Sequence, residues 1–277
     1  MTNSRTTGRP VRWLLLLACG VAVVSASVAA AVLTDATVRD YSAYAERARQ
    51  AFVKRLTEPV GAAPADRSAL RANQVIARAA EGDGVQKVEG GLIHHWRAMV
   101  FISGVTLDQV LSVSRAYADY PKVFHPVLSA TVLADQGDVL RVRFRMKESA
   151  GGLTATFDVT STIRYERLDP SRAYDVSTSD EILEVKDAGE PDERHLPAGR
   201  DSGYLWRGAA LTRFVAADGG VYMEMETIGL SRPFPSMLGW LIEPIARRVG
   251  RRSVEASVQE FRTAVRMRFP AIAAAAE

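Results

Sequence analysis

The chain has 277 residues, with 47% hydrophobic and 24% charged side chains, which fits one globular domain with extensions or two small domains. Its formal charge of +3 is matched by Arg5, Arg9 and Arg12, so the rest is balanced and lacks the broad positive field that nucleic acid requires. The single cysteine, Cys19, lies in an N-terminal apolar run, which excludes a disulfide, a cysteine nucleophile or a thiolate metal site anywhere else.

In chain order, "MTNSRTTGRPVRW" is basic and free of acids, and "WLLLLACGVAVVSASVAAAVL" (Trp13 to Leu33) carries no charge. A basic flank, an apolar run and small residues at its end read as a secretory signal. The run is also long enough to span a bilayer if retained, and "LLAC" allows lipidation at Cys19. In each case residues 1–33 deliver the remainder outside the cytoplasm, with the basic flank held inside. Residues 34–87 are expected to form a helical extension. Val38, Tyr41, Ala45, Ala48, Phe52 and Leu56 share one face of a helix over 35–56. A second short helix is expected over 68–80, capped by Ser68.

From residue 88 the pattern becomes that of strands. "GLIHHWRAMVFISG" is strand-like, "TLDQVLSVSRAYADYPKVF" holds two short helices, and six further strands follow. Alternation is clearest in "VLRVRFRMKE", with Leu140, Val142, Phe144 and Met146 on one face and Arg141, Arg143, Arg145 and Lys147 on the other. The polar stretch from Ala188 to Gly203 is longer than a hairpin needs and is expected to gate a site, together with the turn at Gly151 and Gly152. A long helix over 236–267 closes the chain, with Leu238, Leu241, Ile242, Ile245, Val249, Val254, Val258, Phe261 and Val265 in one stripe. Its basic cluster, Arg247, Arg248, Arg251 and Arg252, reads as a solvated face or a lipid-headgroup patch.

Consecutive strands with short turns make an antiparallel sheet, and a sheet with one apolar face needs the long helix to cover it. The predicted class is α+β: a curved antiparallel sheet of about seven strands around a long C-terminal helix, with an N-terminal helical extension. This order resembles the helix-grip fold of the START-like (SRPBCC) superfamily. "YADYPKVFHPVLSATVLADQGDVLRVRFRM" is similar to a passage of its polyketide cyclase/dehydrase and coenzyme Q-binding-like members. "GGVYMEMETIGLSRPFPSMLGWLIEPIARR" resembles the last strand running into the closing helix. "GLIHHWRAMVFI", "GYLWRGAALTRF" and "ETIGLSR" resemble an exported bacterial subgroup of unknown function. The resemblance covers residues 90–268. It implies a deep apolar pocket for lipids, isoprenoids or aromatic polyketides and brings no shared catalytic motif; the sequence holds no P-loop, dinucleotide fingerprint or HExxH, so no cofactor is expected.

Adjacent strand residues point to opposite faces, so His94 and His95 do not form one site. Arg97 places His95 outside and His94 and Trp96 inside. The inward set expected to contact a ligand is His94, Trp96, Phe144, Met146, Phe157, Tyr174, Tyr204, Trp206, Phe214, Met223 and Met225, with Val159 and Val176 beside them. Tyr174, Tyr204, Thr178 and Asp180 are candidate polar groups. Glu224 and Glu226 should point outward and pair with Arg97 and Arg207 as exposed ion pairs worth less than about 1 kcal/mol. His94, His125, His195 and a carboxylate lack ligand spacing for zinc. The expected function is binding of a hydrophobic molecule outside the cytoplasm, as carrier or sensor, with membrane attachment through the N-terminal segment. Two alternatives remain open: a cyclase, dehydratase or hydrolase using His94, Tyr204 or Asp180 as acid–base groups, and a protein-interaction domain with a filled core.

Overall fold

The computed structural model describes residues 32–61, 63–150, 153–196, 200–233 and 239–270. The leader expected at residues 1–33 and the turn at Gly151 and Gly152 lie almost wholly outside that range. Helix α1 spans Asp35–Arg55, capped by Thr34, whose hydroxyl accepts from the Thr37 amide at 3.1 Å. Helix α2, Pro64–Arg71, is shorter than expected. The chain then enters two strands, β1 (Ile76–Ala79) and β2 (Val85–Val88), where a helix was expected. Both pair with the long strand β3, Gly91–Ser103, so part of the expected extension belongs to the sheet.

Helix α3, Leu107–Ser114, opens on a reciprocal Thr106–Gln109 capping box. A single 3₁₀ turn (Tyr117–Asp119) and helix α4 (Tyr120–Val123) follow. The remaining strands are β4 (Val127–Asp135), β5 (Val139–Ala150), β6 (Leu153–Asp169), β7 (Arg172–Lys186), β8 (Arg194–His195), β9 (Arg207–Ala217) and β10 (Gly220–Ser231). Helix α5, Gly239–Arg268, closes the described chain. The sheet is antiparallel with spatial order β1-β3-β10-β9-β7-β6-β5-β4, β2 flanking β3 and β8 flanking β7. Register shifts in the β4–β5 and β6–β7 pairings bend the strands.

Both faces of this sheet are covered. On the inner face, Trp96, Ala98, Val100 and Ile102 of β3 pack with Val254, Val258, Phe261 and Val265 of α5 and with Leu107, Val110 and Val113 of α3. Gly250 lets α5 approach this strand. A Cβ there would overlap the indole of Trp96, and Gly84, in the left-handed region, meets the same ring from its other side. On the outer face, Tyr41, Tyr44, Phe52 and Leu56 of α1 cover Ile93, Leu211, Ile228 and Leu230. Val60 and Leu70 cover Met99, Phe101 and Tyr222.

This cover corrects the expected surface charges. Glu224 and Glu226 do point outward, but they are 2% and 1% exposed beneath α1. Glu226 accepts from Arg97 Nε at 2.8 Å and from His95 Nε2 at 3.0 Å, and also pairs with Arg55. Glu224 accepts from Arg213 at 3.0 Å, and Arg213 also donates to the Arg55 carbonyl at the end of α1 and to the Glu58 carbonyl in the turn after it. Burial alone would raise the Glu226 carboxyl, but the His95 hydrogen bond and the Arg97 and Arg55 charges outweigh it and hold it below the ordinary glutamate range. Arg207 takes no part and donates to the Trp206 carbonyl.

Removing one partner of a buried pair strands the other. Glu226→Ala should therefore cost about 3–5 kcal/mol in urea unfolding, while Glu46→Ala, which breaks an exposed pair with Arg49, leaves the midpoint nearly unchanged. Gly250→Ala should cost about 1–3 kcal/mol from overpacking against Trp96. An unobstructed helix would instead gain from that substitution, so a rise in midpoint contradicts the close approach.

Candidate functional site

Where α5 leaves the curve of the sheet, a cavity of about 150 Å³ remains. Its floor comes from two strands with short inward side chains. Asp175 and Ser177 of β7 stand opposite Thr212 and Ala210 of β9 in the ladder. Such side chains cannot fill a trough that the Phe261 ring roofs from α5. Tyr165 and Ile163 of β6, Phe144 of β5 and Phe214 of β9 form its walls, with Met223 and Met225 of β10. Ser114, Tyr117, Tyr120 and Phe124, from α3 to the end of α4, close one side.

The tyrosine hydroxyls have a structural task. Tyr120 donates to the Ser114 carbonyl at 2.7 Å and Tyr165 donates to it at 3.0 Å, satisfying the C-terminus of α3. Tyr117 and Tyr165 hydroxyls are 2.6 Å apart. With the Tyr165 proton directed to the carbonyl, Tyr117 is the donor of that pair. Burial lifts all three phenols above the ordinary tyrosine range, so they stay protonated. Asp175 differs. It is buried and bonded to the Thr212 hydroxyl, and burial pushes its pKa up to about 7 in spite of that bond. The cavity can thus hold an apolar ring, offer oxygen acceptors, and hold or release one proton near neutral pH.

Of the eleven side chains expected to meet a ligand, Phe144, Phe214, Met223 and Met225 line the cavity. Trp96 faces inward but is enclosed by Gly84 and Gly250. Met146 and Phe157 are ladder partners on the inner face, away from the cavity. His94 also lies on that face, with Nε2 2.9 Å from the Ser231 hydroxyl, and burial lowers its pKa to about 4, which keeps it neutral.

The others are outside. Tyr174 meets Phe52 of α1, edge to face at 6.0 Å, and donates to Glu166; Val176 packs in the same outer cluster. Trp206 joins that cluster too, and Tyr204 is 40% exposed beside Arg232. Asp180 accepts from Thr162 and pairs with Arg141, which with Thr178, the ladder partner of Thr162, places all four on the outer face. His94, Tyr204 and Asp180 therefore do not converge. His125 is exposed beside Glu260, and His195 bonds Asp158 on the outer face, so His94, His125 and His195 sit apart. Nor does the segment from Ala188 to Gly203 gate the cavity where it is described. Glu193 and His195 fasten it to Arg145 and Asp158 on the outer side of β5 and β6.

The lining residues absent from the expected contact set are Asp175, Ser177, Thr212 and Ala210, with Ser114, Tyr117, Tyr120, Phe124, Ile163, Tyr165 and Phe261 around them. One signal was present: Phe214 fixes the inward parity of its strand, and Thr212 and Ala210 follow from it.

A raised carboxyl pKa sets the sign of a pH effect. Between the ordinary aspartate value of 3.8 and about 7 the folded chain holds a proton that the unfolded chain has lost. Asp175 therefore makes stability fall as pH rises through that window, by at most about 1.4 kcal/mol per unit, and adds no slope above it. Asp175→Asn should abolish this contribution. Urea unfolding of both proteins from pH 4 to 8 should show the variant gaining on the wild type up to pH 7, and parallel profiles would contradict the assignment.

No protein-family model and no curated protein matches the chain. Solved structures of similar shape include a STAR-related lipid transfer protein fragment from Xanthomonas axonopodis, 16% identical over 66% of this chain and 99% of that one, with a TM-score of 0.42. Human StAR-related lipid transfer protein 5 is 13% identical over 83% and 97% of the two chains, with a TM-score of 0.45. The Zhui aromatase/cyclase from Streptomyces is 16% identical over 65% and 98%, with a TM-score of 0.43. At these identities and scores the likeness carries no argument about ligand or chemistry. The chain's own topology, a bent antiparallel sheet closed over by a C-terminal helix, is the helix-grip arrangement that the START-like resemblance implies.

Proposed function

We propose that this protein binds a small hydrophobic molecule between its sheet and α5, as a carrier or sensor working outside the cytoplasm. The observation that carries this reading is the space of about 150 Å³ walled by aromatic and methionine side chains. A space of that size takes a single ring when its lining is apolar. It is smaller than the pockets that enclose drug-sized ligands, so a whole lipid does not fit it. Methionines suit such a wall because their unbranched side chains adapt to the shape of the occupant. The extracytoplasmic setting rests on the basic flank and apolar run at the N-terminus; that run would also provide any membrane attachment.

Ala210→Phe fills the floor of the cavity. Titration of the full chain with toluene or indole, followed by calorimetry, should give saturable one-to-one binding in the wild type. The variant should lose at least tenfold in affinity while keeping its circular dichroism spectrum. An absence of saturable uptake, or equal uptake by Ala210→Phe, contradicts the binding reading. Recovery of the folded domain from the cytosol of its host contradicts the extracytoplasmic one.

A further inference from the structure

We infer that the ligand of this cavity is a small organic cation, an ammonium group on a ring or short apolar body, with Asp175 as its counter-ion. The inference rests on the cavity being a ligand site and adds the chemical class of the ligand.

The first ground is charge. Three carboxyl groups are buried among the described residues: Asp175, Glu224 and Glu226. Glu224 and Glu226 face arginines. Asp175 has only the Thr212 hydroxyl, and no cation pairs with it among the described residues. A buried carboxylate without a counter-charge is unfavourable, and a cation delivered by a ligand removes that cost.

The second ground is the sense of the hydrogen bonds. Tyr117, Tyr120 and Tyr165 have their protons directed at one another and at the Ser114 carbonyl. What they can still offer an occupant is oxygen lone pairs. An ammonium group has donors and no acceptor, so it matches these tyrosine lone pairs, and the Ser177 hydroxyl beside them can also accept.

The third ground is the rings. Phe144, Phe214, Phe261 and the three tyrosines surround the space, and aromatic faces attract a cation. Arg115 already lies over the Tyr165 ring at 4.5 Å, so the cluster accommodates a cation on another of its surfaces.

Proton balance gives a signature. The ammonium enters charged, and Asp175 must give up its proton to pair with it. Its pKa near 7 in the empty site makes affinity improve as pH rises to about 7 and level off above. A neutral ligand accepting a hydrogen bond from the protonated carboxyl shows the opposite trend. The titratable groups facing Asp175 are Tyr165 of β6, Tyr117 of the 3₁₀ turn and Tyr120 of α4, all held above the ordinary tyrosine range. Helix α5, β9 and β10 present Phe261, Thr212, Phe214, Met223 and Met225, none of which titrates.

The test is calorimetry on the full chain with toluene, benzyl alcohol and benzylamine, which differ mainly in the polar group. At pH 8 benzylamine should bind at least tenfold tighter than benzyl alcohol. Its affinity should fall about tenfold per unit below pH 7, the limit for one coupled proton. Asp175→Asn should remove the amine preference and keep toluene binding; if that variant does not fold, the wild-type pH profile decides alone. Toluene binding without an amine preference, or with amine affinity that rises on acidification, overturns the cation and leaves the cavity reading intact. Failure of all three compounds to bind overturns both.

Discussion

A straight helix cannot stay in contact with a bent sheet along its whole length, and the site in this protein depends on where the contact is kept. It is kept on β3, where Gly250 brings α5 against the Trp96 indole and Val254, Val258 and Val265 continue the seam. Farther from that seam the sheet continues through β9, β7 and β6, while the helix offers Phe261. A core would close this gap with large side chains from below. Here Ser177, Ala210 and Thr212 are too short, Tyr120 is held back by its bond to the Ser114 carbonyl, and Tyr117 is held by its bond to the Tyr165 hydroxyl. The empty volume is thus a product of three constraints: a tight seam at one side, a low floor, and a wall fixed by hydrogen bonds. Each is set by residues distant in sequence from the others.

The second layer is the N-terminal extension, which acts as an outer cover for the sheet. Its effect is energetic as well as geometric. In water, cross-strand pairs such as Arg97 with Glu226 are screened and contribute little. Beneath α1 the same pairs lie in a poorer dielectric, where a missing partner is costly. Arg213 links the two layers directly, since it bonds Glu224 on the sheet, the Arg55 carbonyl that ends α1 and the Glu58 carbonyl in the turn just after it. The extension is therefore bound by polar groups at one end and by Tyr41, Phe52 and Leu56 along its length.

This double cover also explains what the sequence could and could not disclose. The strands β3 to β7, β9 and β10, helix α1 and helix α5 are all legible, because alternation and helical spacing survive in each. Four of the eleven expected ligand contacts line the cavity. The failures concentrate on strands whose two faces are both buried. In "RAYDVSTSDEILEVKD", Tyr174 and Val176 are the apolar residues, and a one-sided sheet would turn them to the core. They turn to α1 instead, because Phe52 gives Tyr174 an apolar neighbour on the outside. Asp175 and Ser177 are left for the inside. The same cause buries Trp206 outward. The helix expected over 68–80 stops early for a different reason: after Arg71, Asn73 takes a positive φ and the chain leaves as an edge strand. Pairing with β3 outweighs local helical preference there.

Polar burial thus occurs on both faces of this sheet, and its form differs between them. On the outer face each carboxylate has an arginine, and the bonds connect two parts of the same chain. On the inner face the carboxyl of Asp175 has a hydroxyl neighbour and a space beside it. Strand β9 contributes to both, since Thr212 and Arg213 are consecutive residues that face opposite ways. A substitution that served stability alone would replace Asp175 with an apolar side chain of similar size, as buried ionisable groups seldom stabilise a fold by themselves. The outer cluster has a structural use that accounts for its cost, the attachment of α1. Asp175 attaches nothing in the described chain. Its cost is offset when something outside the chain supplies the missing charge, which places the reason for the residue in the ligand and not in the fold.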